Sequence, residues 1–344
     1  MYLLVDKSTS NEVPSVNDDS KVKVLRVWEA DNFLSILGIM HYLLKLKPDV
    51  VHFNTAFQSF GKTRVANFTG ISLIFFCRIL GFRTLVEMHN LAEKVKLEKV
   101  GVKSSLINRI GILVATKLVL TASKVVVTVH AYADYLKMRY HHGDVQYIPH
   151  GAIVDYSSSI DPEEKTILIF GFMGPHKGLS VLLKAFQELR KEKQKLKLVV
   201  AGSNHPNFPR FLDEYIRLHI PDVEFLGYVP EENVAQVFKK ADVVAIPYFT
   251  MTGTSGVFHL ACGYGKPIVG SDLPEIREML NDGASALLCP PGDVEELKNA
   301  ILKVLSDEKL EARMSGQNLK FAQKESWNIV AEAFEEAYLE LLNC

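Results

Sequence analysis

Two short stretches in the second half of the chain carry residue types suited to holding an anion. The first is Met251–Pro267, MTGTSGVFHLACGYGKP. It follows a short apolar run, Val243–Pro247, and opens with Thr252-Gly253-Thr254-Ser255-Gly256. It then passes directly into an apolar helical stretch, Val257–Cys262. A strand, a small-residue turn and a helix start bring backbone N–H groups and partial positive charge to one place. The second stretch, Phe170–Gly178 (FGFMGPHKG), has the same arrangement and adds a cation. Gly171 and Gly174 allow tight backbone, Pro175 fixes a turn, and Lys177 can reach an anion. Two such turns in one half-chain suggest a diphosphate held at the carboxyl edge of a parallel sheet.

Other candidate groups are weaker. A serine nucleophile elbow needs Gly-x-Ser-x-Gly, but Gly256 follows Ser255 directly, so Ser255 reads as a hydroxyl and N–H donor to phosphate. His89 ends an apolar strand and is followed by Asn90. A histidine there is as readily a structural hydrogen-bond partner as a functional group. No second histidine or carboxylate stands at metal-ligand spacing, so no metal site is expected. His141 and His142 read as solvated. Glu93–Lys103 alternates Lys94, Lys96, Lys99 and Lys103 with Val95, Leu97, Val100 and Val102. That pattern fits a solvated loop or a basic segment lying on a membrane.

These groups need strands and helices to position them. In the first half, strands read at Met1–Asp6, Val22–Trp28, Val50–Phe53, Thr84–Met88, Val125–Val129 and Val145–Ile148. Helices read at Phe33–Leu46, Phe68–Leu80, Leu106–Leu120 and Tyr132–Tyr140. Pro149-His150-Gly151 breaks the pattern, and a second alternating series follows. Its strands read at Thr166–Phe170, Leu196–Ala201, Val223–Leu226, Val243–Pro247, Pro267–Gly270 and Ala286–Cys289, and its helices at Leu179–Glu192, Glu232–Lys239, Val257–Cys262, Pro274–Leu280 and Asp293–Leu305. Lys309–Ala322 and Trp327–Leu342 close the chain as helices. Strand–helix alternation of this kind predicts an α/β fold of two doubly wound, Rossmann-like domains. The expected divisions are residues 1–150, 151–325 and a closing segment, 326–344.

The 344 residues, 48% apolar and 23% charged, suit a two-domain globular chain. The net charge is −1, but residues 1–150 hold 19 basic and 12 acidic side chains, while residues 151–344 hold 20 and 28. A basic first half could face anionic lipid or an anionic substrate. The four cysteines form no CxxC pair and read as buried thiols of a reducing compartment. No signal peptide opens the sequence. The apolar runs Ile71–Phe82 and Ile110–Leu120 are interrupted by Arg78 and Lys117 and are too short to span a bilayer. A cytoplasmic protein, at most peripheral at the inner face of the membrane, is expected. No nucleic-acid module is visible.

With FGFMGPHKG at 170–178, GTSGVFHLACGYGKPIVGSD at 253–272 and LLCPPGD at 287–293 in place, the chain resembles glycosyltransferase family 4. EMHN at 87–90, YIPHG at 147–151 and the Trp327 helix add to the likeness. The resemblance implies the two-Rossmann, B-type architecture, its domains facing a cleft. It also implies transfer of a hexose from a nucleotide-diphosphate sugar, GDP-mannose or a UDP-hexose, to a glycan or lipid-linked acceptor. Retention of configuration and no metal or other cofactor are implied as well. Lys177 would match the family's phosphate-contacting lysine, and Thr254, Ser255 and Gly256 the loop over the diphosphate. Leu226, Gly227, Tyr228 and Val229 would lie against the base. His89, with Asn90, would match the acceptor-side catalytic position, and the last helix would cross back to the first domain.

Three departures stand out. Thr252 and Leu260 occupy the positions of the family's paired acids, as in the subset with a Ser/Gly-rich loop. Phe172 and Gly174 stand where an arginine is usual. Met1–Asp6 resembles the family's second strand, so the first domain is expected to lack its first, through a fragmentary sequence, a misplaced start or true loss. These departures support an alternative reading, a relic that binds a nucleotide or partner without turnover. A nucleotide-sugar epimerase is a third.

Overall fold

The computed structural model describes residues 1–7, 21–56, 59–95, 97–100, 102–155, 164–192 and 195–343. The chain divides into two compact units. The first takes residues 1–93, 105–148 and 334–344; the second takes 94–104 and 149–333. The polar stretches at 8–20 and 156–163 lie outside the described residues.

The first unit runs β1 (Tyr2–Asp6), β2 (Lys23–Trp28), α1 (Ser35–Leu46), β3 (Val50–Thr55), α2 (Arg64–Ile79), β4 (Arg83–Met88), α3 (Leu106–Val119), β5 (Lys124–Val127), α4 (His130–Tyr140) and β6 (Val145–Tyr147). Strands β3-β4-β5-β6 form a parallel sheet in that order, while β1 and β2 form a separate parallel pair. No strand among the described residues joins β1 to β3. Val86, Val125 and Val127 are fully buried, and Ile71, Ile74 and Cys77 of α2 pack into the same core.

Helix α2 starts at Arg64, four residues ahead of the Phe68 expected from apolar spacing. Buried Ala66 and Asn67 belong to that added turn, and the Asn67 amide donates to the carbonyls of Gly61 and Thr63. The 93–103 stretch forms two 3₁₀ turns, Ala92–Lys94 and Leu97–Val100, with Lys96 outside the described residues. The Glu93 carboxylate there accepts from the hydroxyls of Tyr135 and Tyr140 at 2.8 and 2.6 Å. His142, expected to be solvated, is half-buried, with its Nε2 2.8 Å from the Leu120 carbonyl oxygen.

The second unit runs β7 (Lys165–Phe170), α5 (Leu179–Glu192), β8 (Leu196–Ala201), α6 (Phe211–Arg217), β9 (Val223–Gly227), α7 (Glu231–Lys239), β10 (Val243–Ile246), α8 (Gly256–Gly263), β11 (Ile268–Ser271), α9 (Pro274–Asn281), β12 (Leu287–Cys289), α10 (Val294–Ser306), α11 (Glu308–Lys324) and α12 (Trp327–Asn343). Only α6 was absent from the pattern read in sequence; it follows a segment rich in proline and asparagine. The last helix is shared, its residues from Phe334 onward belonging to the first unit.

All six strands of the second unit are parallel, in the order β12-β11-β10-β7-β8-β9. Alternation along β7 sends Ile167 and Ile169 to one face, beneath Leu182, Phe186 and Leu189 of α5. Leu168 goes to the other face, with Phe258 and Cys262 of α8. Both faces are therefore covered, as a parallel sheet requires. The order reverses between β7 and β10, and at such a point the helices that follow the two strands go to opposite faces of the sheet, which leaves a crevice between the loops. The two anion-type turns are the loops that leave these strands.

Cys77, Cys262 and Cys289 are buried and unbridged, and Cys344 lies outside the described residues. Burial pushes the Cys77 thiol up to about 12.

Candidate functional site

The turn after β7 is held against the turn after β10 by backbone. The Phe249 N–H donates to the His176 carbonyl at 2.8 Å. Gly178 sits at φ +66°, where a Cβ would collide with the Pro247 carbonyl oxygen. Any side chain at Gly178 would thus push the two loops apart. Gly171, at φ +106°, marks where they converge. A Cβ placed there would lie 3.4 Å from a Val257 methyl on the first turn of α8 and 3.9 Å from the Lys177 amine. The amine and the start of α8 therefore flank one point on the β7 loop.

Lys177 is oriented by Tyr248. Its Nζ lies 3.8 Å from the centre of the Tyr248 ring, and the ring itself is buried. A half-buried cation over an aromatic face gains on the order of 1 kcal/mol. The buried Tyr248 hydroxyl has no hydrogen-bond partner among the described residues. Ser255 caps α8: its Oγ accepts from the Phe258 N–H at 3.2 Å, which ties up one of the helix's open donors. Its hydroxyl proton remains able to donate. Thr254 and Gly256 are half-buried beside it, with the Thr254 hydroxyl 3.8 Å from the Met279 sulfur.

Two histidines stand in the space beside Gly174. A Cβ on Gly174 would meet the His176 ring at 3.2 Å and the His205 Cβ at 3.3 Å. The rings of His176 and His205 meet edge to face at 5.3 Å. Burial, and then the Lys177 charge, pushes the His176 imidazole down to about 4; the same two causes lower His205. Both rings are neutral at neutral pH, so neither supplies the charge of the arginine missing at Phe172 and Gly174. Phe172 is exposed.

Leu226-Gly227-Tyr228-Val229 ends β9 at the carboxyl edge of the sheet. The Gly202 N–H donates to the Gly227 carbonyl at 2.7 Å, and Gly202 is itself packed on the Gly171 carbonyl. Backbone contacts thus link this segment to the β7 turn. Leu226 and Tyr228 are exposed.

Sequence reasoning missed a buried pair under the β10 turn. His259 of α8 lies with Nδ1 2.9 Å from the Ser255 carbonyl oxygen and Nε2 2.9 Å from the Glu325 carboxylate. The carbonyl can only accept, so Nδ1 carries hydrogen. One further proton lies on the Nε2–carboxylate line, on the ring or on the acid. The pair fixes the residue that caps α8, and its partners are 66 positions apart. The His150 ring is 5.1 Å from that of His259 and within 4 Å of where a Gly256 Cβ would be. His150 was visible only as part of YIPHG, and Glu325 carried no signal.

In the first unit His89 is part of a side-chain network at the ends of β3 and β4. Its Nε2 is 2.7 Å from Asn54 Oδ1, and Asn54 Nδ2 donates to the Glu87 carboxylate at 3.2 Å. The carboxylate fixes which end of the Asn54 amide is nitrogen, and the amide oxygen then requires a proton on His89 Nε2. In the neutral ring the lone pair is on Nδ1. Glu87 also lies 3.6 Å from His52 Nε2, and His52 Nδ1 is 2.6 Å from the Tyr338 hydroxyl. Asn90 follows His89 and is half-buried. Spacing along the chain concealed His52 and Asn54, which the neighbouring strand β3 brings to Glu87 and His89. Among the described residues no group of three or more His, Cys, Asp or Glu side chains is placed to hold a metal ion.

Residues 164–307 match the family model described as glycosyl transferases group 1. The chain is 28% identical over 206 residues to the phosphatidyl-myo-inositol mannosyltransferase of Mycobacterium leprae, covering 57% of this chain and 53% of that protein. It is 32% identical over 184 residues to the D-inositol 3-phosphate glycosyltransferase of Stackebrandtia nassauensis, covering 50% and 41%. The chain therefore spans about half the length of the curated relatives it matches. Among solved structures, sucrose-phosphate synthase from Thermosynechococcus elongatus superposes with a TM-score of 0.79 at 18% identity, covering 99% of this chain and 89% of that one. Anabaena HepE in complex with UDP-glucose does so with a TM-score of 0.71 at 16% identity, covering 92% and 86%. The α/β fold is thus that of the B-type glycosyltransferases.

Proposed function

We propose that the protein is a glycosyltransferase that moves a hexose from a nucleoside-diphosphate sugar to an acceptor hydroxyl, with retention of configuration. The observation that carries this reading is the placement of the Lys177 amine and the start of α8 around Gly171, at the point where the strand order reverses. In the reaction the bond between the sugar C1 and the phosphate oxygen breaks, and its electron pair leaves with the diphosphate. The acceptor oxygen bonds to C1, and its proton passes to the departing phosphate oxygen. Negative charge grows on the leaving group, where the ammonium and the amides of the Ser255 turn stabilise it without rearrangement. We assign that role to Lys177, Gly171, Gly174, Thr254, Ser255 and Gly256, and propose that it needs no metal ion.

Leu226 to Val229 are proposed to lie against the base. HepE was solved with UDP-glucose and the mycobacterial relative is named a mannosyltransferase, so UDP-hexoses and GDP-mannose are the donors to test first. His89, with its Nδ1 lone pair, is proposed to accept a hydrogen bond from a sugar or acceptor hydroxyl, with Asn90 beside it. A glycan or a lipid-linked sugar is the proposed acceptor class.

A second reading, nucleotide binding without turnover, draws on Thr252, Leu260, Phe172 and Gly174 standing where relatives carry charge. Incubation with labelled nucleotide sugars and a lipid extract separates the two. Transfer that is lost in Lys177→Ala supports the enzyme; binding with no transfer supports the relic. Free sugar released without an acceptor would instead indicate an epimerase.

A further inference from the structure

Helices α2 and α3 share an unusual outer surface. On α2, Val65, Phe68, Phe75, Phe76 and Ile79 are exposed, Ile79 at 64%. At 100° per residue they fall on one stripe, opposite the buried Ala66, Gly70 and Ile74. On α3, Leu106, Ile107, Ile110 and Val114 are exposed, Ile107 at 72%, again on one stripe, opposite the buried Ala115 and Val119. The crossovers β3–α2–β4 and β4–α3–β5 run in the same direction across the sheet, so their right-handedness sets both helices on one face. The two stripes therefore both point away from the sheet. Nine large apolar side chains on two adjoining helices exceed the scatter expected of an ordinary surface.

The charges carried by these two helices and the segments that flank them in sequence have one sign. Residues 50–86 and 102–133 contain no aspartate or glutamate, while Lys62, Arg64, Arg78, Arg83 and Lys117 are all exposed. A protein partner would ordinarily be met by charges of both signs at the rim of its interface. Asp31, which accepts from the Thr63 N–H at 2.6 Å, stands at the start of α2, but the helices themselves carry only cations. An apolar stripe with such a basic flank fits a surface that is apolar beneath and anionic at its boundary. Arg78 and Lys117 also interrupt the two runs as spans, and no helix among the described residues is long and apolar enough to cross a membrane.

We infer that the α2–α3 face is a docking surface for an anionic phospholipid bilayer. The apolar stripes enter the boundary between headgroups and acyl chains, and the arginines and lysines sit among the headgroup phosphates. This locates lipid contact on two packed helices, α2 and α3. The inference does not depend on the nucleotide reading, since no residue of the second unit enters it.

Co-sedimentation of the full chain with phosphatidylcholine vesicles, with and without phosphatidylglycerol, tests it. The chain should bind the anionic vesicles, bind phosphatidylcholine alone at least about tenfold more weakly, and lose binding as salt rises. Phe76→Ser combined with Ile107→Ser, and separately Arg64→Glu combined with Arg78→Glu, should each lower partitioning about tenfold or more. All four side chains are exposed, so the melting temperature and nucleoside-diphosphate affinity of these variants should match wild type and show that they are folded. Failure of the wild-type chain to bind anionic vesicles, or unchanged binding by both variants, would overturn the inference. So would a wild-type dimer in sedimentation velocity that Phe76→Ser dissociates, because the face would then be an interface between copies of the chain.

Discussion

The turn at Gly171–Lys177 and the network at His89 are held by different means. The first is fixed by main chain: Phe249 to His176, Gly202 to Gly227, and Gly178 against Pro247. It contributes one flexible side chain, Lys177, and lays that over a buried ring. The second is a chain of side-chain bonds, His89 to Asn54 to Glu87, at a half-exposed strand end. A backbone-built site tolerates change poorly but keeps its shape when empty. A side-chain network can be retuned one residue at a time. The difference suits the proposed division into a fixed diphosphate site and a variable acceptor site, and each variant below is a way to break that contrast.

Lys177→Ala should have the largest effect. With neutral His176 and His205 beside it and no arginine at Phe172 or Gly174, no second cation of that turn takes over. Transfer measured as kcat/KM should fall about 100-fold or more. His89→Ala and Asn54→Ala should lower kcat about 10- to 100-fold while leaving nucleoside-diphosphate affinity within about twofold. Loss of affinity in these variants would erase the proposed division of labour.

His259→Leu should weaken nucleoside-diphosphate binding about tenfold, because it frees the Ser255 turn and removes the ring that pairs with the Glu325 carboxylate. Glu325→Gln, which keeps a hydrogen bond to the ring, should retain most of the affinity. Equal losses in both, tracked by titration calorimetry, would reduce the pair to a packing role.

The pH dependence has a defined sign. His176 titrates near 6.5 in the unfolded chain and near 4 when folded. As pH falls through that window the unfolded state takes up a proton that the folded state refuses, so this group lowers stability. Urea melts between pH 7 and 4 should show the decline, and His176→Gln should flatten part of it. Ser255→Ala should have the smallest effect, about 1 kcal/mol of stability from the lost cap.

The sequence made the alternation of strands and helices visible because apolar periodicity and breakers are local signals. Leu179–Glu192 is one helix in sequence and structure alike. Helix α6 escaped notice because it is short and follows Asn-His-Pro-Asn-Phe-Pro. In the site, glycines and Lys177 were legible because a turn's chemistry lies within a few residues. Glu325 and Asn54 were not, since their partners are 66 and 35 positions away and only the sheet order and helix packing bring them together. The α2–α3 surface lay between. The apolar runs were plain, but the early start of α2 and the direction of each stripe needed coordinates.

Titration calorimetry of UDP and GDP against their parent nucleosides, on wild type and Lys177→Ala, tests the diphosphate site most directly. The account predicts that the diphosphates bind wild type at least about tenfold tighter than the nucleosides, and that Lys177→Ala removes most of this advantage, with or without EDTA. An advantage that survives intact in Lys177→Ala, or that disappears from wild type on adding EDTA, would contradict it.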